Sequence, residues 1–175
     1  MERRPVYIVL VGLPGSGKST LRNNICMSWA QSELIVLSSD DEIDRYALQE
    51  GRTYGEVFAE HIEPAQLMLR TEREKALARN QSIIHDQTHL TLKSRSRSIF
   101  NVPDNYYKIA IVCSVPEDVR QQRLLGRPGK IIPVEADERM VSSFIHPEID
   151  GGFYDGVYAV GQAMRVLMPY LIRRN

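Results

Sequence analysis

The chain has 175 residues and a mass of 20.0 kDa, the size of one compact domain, which excludes an enzyme with separate cofactor and substrate lobes. A composition of 43% hydrophobic and 25% charged residues supplies a core and excludes disorder. Twenty-two basic residues cancel twenty-two acidic ones, so a polyanion would have to be met by a local patch rather than by bulk attraction.

The opening MERRPVYIVLVG is basic and then apolar. The apolar run is short, no small-residue cleavage site follows it, and Val6 to Val11 reads as a first strand. A helical pattern covers Ser19 to Gln31, and a second strand covers Leu34 to Leu37. Helices at Asp41 to Gln49 and Tyr54 to Asn80 precede a third strand at Ser82 to His85. A helix at Leu92 to Phe100, a strand at Tyr107 to Val112, and helices at Pro116 to Leu125 and Pro133 to Phe144 complete the alternation. Parallel strands need long right-handed crossovers, which place helices on both faces. The expected fold is therefore a three-layer α/β/α domain over residues 1–175, with a mostly parallel sheet. The apolar tail Gly161 to Ile172, broken by Pro169, either completes the core or docks a partner chain, and core packing is the preferred reading.

Cys26 and Cys113 sit in apolar surroundings without CxxC or Cys/His spacing, so buried thiols are expected rather than a disulfide framework or a zinc site. No apolar stretch approaches the roughly 20 residues that span a bilayer. No membrane partner is expected, and a cytoplasmic location is the default.

Gly12-Leu-Pro14-Gly15-Ser16-Gly17-Lys18-Ser19 fits GxxxxGK[ST] and lies between a strand and a helix, as a phosphate-cradling loop must. Glycines let the backbone wrap a phosphate chain with its N–H groups turned inward at the positive end of the helix. Lys18 would reach the β and γ phosphates, Ser19 would ligate Mg²⁺, and Thr20 would start the helix and touch the α phosphate. An Asn-Lys-x-Asp guanine reader and an Asp-x-x-Gly switch are both absent, which points to ATP. At this size a small phosphotransferase is the natural class.

The pair Asp40-Asp41 falls at the carboxyl end of the second strand, where open α/β sheets place their ligands. Asp40 is the candidate base for an acceptor hydroxyl; the alternative is that the pair caps the next helix. Asp86, at the end of the third strand, would hold either the Mg²⁺ water shell or the acceptor. His85 and His89 are spaced as in HExxH but lack its Glu, while His61 and His146 read as ordinary histidines. Arg123 and Arg127 end a helix in a Gly/Pro-broken basic turn, the expected lid that brings positive charge to the transferring phosphoryl group. Lys93, Arg95 and Arg97 form a second basic cluster that either meets acceptor phosphates or makes a solvated helix face.

The ordered set GLPGSGKST, SSDD, HDQT and RLLGRPGKIIP resembles the phage-type polynucleotide 5′-hydroxyl kinases and their zeta-toxin-like relatives. The tail from Pro147 to Val157, with Gly152-Phe153, extends the likeness over nearly the whole chain. The resemblance implies an ATP- and Mg²⁺-dependent kinase of the 5′-OH of DNA or RNA. Asp40 would be the base, Lys18 and Arg127 the γ-phosphate stabilisers and Arg123 a lid contact to nucleotide. Asp86, Thr88 and Asp41 would stand on the acceptor side, where Arg95 of the basic cluster is the added candidate, with Ser19 and Asp86 at the metal. The family often carries an Arg three residues after the catalytic Asp to hold the acceptor's 3′ phosphate. Here that position is Ile43, with Arg45 on the same helix as its substitute. Two other readings fit the same motifs: a kinase of a nucleoside, a hydroxylated base or another small alcohol, and a non-catalytic ATP-binding regulatory module. No phosphatase signature accompanies the kinase motifs.

Overall fold

The structure, a computed structural model, describes residues 4–30, 34–147 and 151–171. The expected helix end at Gln31, the tail residue Ile172 and positions 148–150 of the Pro147 segment lie outside them.

β1 (Val6–Val11) is buried along its whole length, because a central parallel strand is covered on both faces. Val6, Ile8 and Leu10 point to one side, against α1 (Lys18–Ser28) and α7 (Ala163–Leu171) through Leu21, Ile25, Ala163 and Leu167. Tyr7, Val9 and Val11 point to the other, where Leu69 and Ala76 of α3 (Tyr54–Ala78) and Ile99 of α4 (Leu92–Ile99) close the second layer. The period-2 alternation of one strand thus fills two cores. The tail packs into the core, as preferred from the sequence.

Beside β1 lie β2 (Leu34–Leu37), β3 (Ser82–Asp86), β4 (Tyr107–Val112) and β5 (Gly156–Ala159), all parallel, in the order β2-β3-β1-β4-β5. The fold is α/β with helices on both faces, as expected. The fifth strand is an addition: GVYA has three half-covered residues and an exposed Ala159, pairs only with β4 and shows no clear alternation. At described ends the helix bounds coincide with the expected ones at Tyr54, Leu92 and Leu125 and differ by one or two residues elsewhere. α2 (Ser39–Glu50) starts two residues early because Ser38 is its cap, its Oγ accepting the Asp41 N–H at 3.2 Å.

The topology positions the site. After β1 the chain crosses to β2, and β3 then inserts between them, so the carboxyl ends of β1 and β3 are adjacent at a switch point. Leu10 pairs with Asp86, and the Gly12 N–H donates to the Thr88 carbonyl at 3.0 Å. No helix among the described residues is long and apolar enough to cross a membrane.

Candidate active site

The loop between β1 and α1 has the backbone its glycines allow. Gly17, the residue before α1, has φ +97, and a Cβ on Gly12 would fall on the Cys113 carbonyl. These left-handed and close-packed positions leave the first-turn N–H groups of α1 open to the cleft. Lys18 Nζ donates to the carbonyls of Gly12 (2.9 Å) and Leu13 (3.0 Å), and burial lowers its pKa. Ser16 Oγ is buried with no hydrogen-bond partner among the described residues. The cradle thus concentrates donors and an ammonium with only backbone carbonyls in reach, a setting that suits a phosphate chain.

This loop forms one wall of a cavity of about 590 Å³. Pro14, Gly15, Gly17, Lys18, Ser19 and Thr20 line it on one side, Asp40, Asp86 and Thr88 on another, and Arg123 and Arg127 at the rim. The structure therefore brings together in one cleft most of the residues singled out from the motifs. Gly12 and Ser16 support the cradle from beneath.

Neither Asp40 nor Asp41 caps α2, since Ser38 does. Asp40 is exposed in the cleft, and its Oδ1 accepts the Tyr54 hydroxyl at 2.9 Å. Tyr54 is held protonated by burial and by the Asp40 carboxylate, so it acts as a fixed donor that orients Asp40. Asp41 does not line the cleft. It pairs with Arg22 at 2.8 Å, and the same guanidinium nitrogen reaches Asp86 Oδ2 at 3.0 Å. Asp86 is buried, which raises its pKa against the opposing pull of Arg22 and Lys18. Ser19 offers an exposed hydroxyl and Asp86 a carboxylate on the same cleft, the hard oxygen donors that Mg²⁺ prefers.

The basic turn after α5 (Glu117–Leu125) is docked rather than projecting. Arg123 Nη1 donates to the Gly15 carbonyl at 3.3 Å, Gly55 N–H donates to the Gly129 carbonyl at 2.9 Å, and the Lys130 ammonium sits over the Tyr54 ring. At its base Arg120, 2% exposed, bridges Glu117 and Asp137, the latter on α6 (Val134–Ser142), at 2.6–2.8 Å.

Several expectations are corrected. Arg95 is fully buried, with Nη1 donating to the His89 and Leu90 carbonyls at 3.0 Å; it fastens the β3–α4 loop and does not face the cleft. Arg45 ion-pairs with Glu42 and lies over Tyr46, so it does not stand in for position 43. Ile43 is buried with Ala47, Val57 and Ala65 between α2 and α3, where an arginine has no place. Cys26 is exposed because it falls on the outer side of α1, while Cys113 is buried as expected. His85 belongs to β3 and His89 to the following loop, so they do not share a helical face.

Phe58, Ile62 and Gln66 of α3, with Gln87 and Ser94, also line the cleft and were missed. Their i, i+4, i+8 spacing on α3 is a one-face signal, yet nothing in the sequence says which face meets the loop.

The chain belongs to the AAA domain family, which residues 8–146 match. No curated protein matches it at the level of sequence. Among solved structures it is similar to a candidate kinase from Chloroflexus aurantiacus, at 21% identity and TM-score 0.69, covering 97% of this chain and 100% of that one. It is also similar to Chaetomium thermophilum Kti12, solved with ADP-AlF3, at 14% identity and TM-score 0.64, covering 95% and 100%. A shikimate kinase from Acinetobacter baumannii, solved with shikimate, follows at 16% identity and TM-score 0.53, covering 97% and 96%. The fold is that of the P-loop kinases.

Proposed function

We propose that the protein transfers the γ phosphate of ATP to a hydroxyl, the 5′-OH of a nucleic acid, with Asp40 as the base. The observation that carries this reading is the placement of Asp40 and Lys18 on one cleft, with Arg123 and Arg127 at its rim. The acceptor oxygen forms a bond to the γ phosphorus while the bond from that phosphorus to the β–γ bridging oxygen breaks. The electron pair leaves with ADP, and the hydroxyl proton passes to Asp40. The cradle N–H groups and Lys18 hold the phosphate chain, and Arg123 and Arg127 offset the charge that builds on the phosphoryl oxygens. Ser19 and Asp86 would hold Mg²⁺, whose chemistry is to neutralise the β and γ phosphates. Tyr54 keeps Asp40 turned toward the cleft.

A nucleic-acid acceptor is supported by the apolar side of the same cleft, where Phe58, 40% exposed, and Ile62 present a surface on which a base can stack. The likeness to Kti12, solved with ADP-AlF3, supports the nucleotide half of the reading.

The test incubates the protein with γ-labelled ATP and Mg²⁺ and offers 5′-OH single-stranded DNA, RNA, duplex ends and free nucleosides in parallel. Label is expected on 5′-OH ends. Asp40→Asn should cut transfer about 10²- to 10⁴-fold while leaving ATP affinity intact. Transfer by Asp40→Asn at the wild-type rate would remove Asp40 from the chemistry. Label on nucleosides alone would assign the acceptor to the small alcohols, and label on no acceptor would make the protein an ATP-binding module.

A further inference from the structure

A second cavity, about 860 Å³, lies between α3 and α4 above the end of β3. It adjoins the nucleotide cleft, since Gln66, Gln87, His89 and Ser94 line both. Its charge is one-sided. Arg70, Arg73 and Arg97 line it against a single carboxylate, Glu74, on a chain whose total charge is zero.

The three guanidiniums are not engaged alike. Arg73 is fixed: Nε donates to the Tyr7 hydroxyl at 2.9 Å, and Nη2 donates to the carbonyls of Ser98, at 3.1 Å, and Phe100. The Tyr7 hydroxyl gives its own proton to the Ser98 carbonyl at 2.9 Å and contacts His85 Nδ1 at 3.0 Å, so the arginine rests on a buried network. Arg70 and Arg97, in contrast, are exposed and make no hydrogen bond or ion pair among the described residues. Two unpaired guanidiniums beside an anchored third, in a concave site, concentrate positive potential on a chain with no net charge. The ligand whose geometry matches planar guanidinium forks is a phosphate. The α2 side of the site has no such group, since Ile43 is buried and Arg45 is paired with Glu42.

We propose that this cavity is the acceptor's phosphate subsite, in which Arg70, Arg73 and Arg97 hold a phosphate or phosphodiester of the molecule whose hydroxyl lies at Asp40. The assignment rests on the reading of Asp40 as the acceptor's base. The acceptor is then a phosphate-bearing alcohol, and a nucleic-acid strand supplies that chemistry through the phosphodiesters that follow its 5′-OH.

The experiment is a binding measurement on the whole chain with ADP present. The probe is a hexathymidylate with a free 5′-OH and a 3′ fluorophore, read by anisotropy over a salt series; glycerol 3-phosphate and thymidine compete in separate arms. Arg70→Gln/Arg97→Gln should weaken the probe at least about tenfold. It should also flatten the log-log salt slope by about 1.4, at about 0.7 for each phosphate of a single strand that is no longer neutralised. ADP affinity should stay at the wild-type value, and Arg70→Lys/Arg97→Lys should restore the salt slope. Competition by glycerol 3-phosphate points to a small phosphate ester, and its failure to compete points to the strand; either supports the subsite. Wild-type affinity in the Gln double variant, thymidine competing as well as glycerol 3-phosphate, or no binding of any probe overturns it. Binding is read without transfer, so an active Asp40→Asn would defeat the reading of Asp40 while the arginine dependence is judged separately.

Discussion

Arg95 and Arg97 stand two residues apart on one helix and should respond oppositely to the same substitution. Arg95→Met keeps length and apolar stem but removes the guanidinium, leaving the His89 and Leu90 carbonyls without the donor that reaches each at 3.0 Å. Arg95 is fully buried, so water cannot take over. The Leu90 carbonyl keeps the Ile145 N–H at 2.9 Å, so the His89 carbonyl is the acceptor abandoned, at a cost of about 1–3 kcal/mol, a sizeable share of a typical total stability. For a chain of this length that is a fall in Tm of about 2–12 °C. Arg97→Met, at an exposed position with no partner among the described residues, should stay within about 0.5 kcal/mol of wild type. Urea denaturation followed by circular dichroism, with Trp29 fluorescence as a second probe, measures both. A wild-type midpoint for Arg95→Met would refute the structural role given to Arg95 and return it to the acceptor side.

Burial holds His85 well below its ordinary pKa and His89 down to about 4, so both are neutral in the folded chain at neutral pH. The unfolded chain takes up protons near pH 6.5 while the folded one does not, so stability is full above that pH and falls as pH drops toward 4. His89 alone accounts for about 3 kcal/mol. Urea midpoints at pH 7 and 5 should show the fall, and His89→Asn should flatten it; an unchanged slope refutes the assignment. Arg120→Met strands Asp137, which is 13% exposed, and unties α5 from α6. A loss of about 2–4 kcal/mol and a raised KM for ATP are expected from denaturation and kinetics. A thiol-titrating disulfide reagent should modify Cys26 quickly in the native protein and Cys113 only after unfolding, because burial both covers Cys113 and pushes its pKa up to about 11. Fast modification of two thiols contradicts this.

The phosphate loop was legible because its chemistry is local: Gly17 at positive φ, Lys18 and Ser19 must be contiguous for a backbone to close on phosphate, so spacing alone reports them. The central strands β1, β3 and β4 were legible because a strand covered on both faces reads as a continuous apolar run; β2, at one edge, was legible through its run LIVL, whereas β5 at the other edge, GVYA, carries no such run. Position along a helix was readable; direction around it was not. Lys93, Arg95 and Arg97 look alike in sequence, and only the packing of α4 on the β3 loop turns one into a buried clasp and another toward a cavity. Strand order has the same character. That β3 inserts between β1 and β2, setting Asp86 beside the phosphate loop and α3 over both, depends on which faces bury the most apolar surface together. The residues that contact one another there, such as Arg22 with Asp86 and Tyr54 with Asp40, are separated by stretches of chain that carry no record of the meeting.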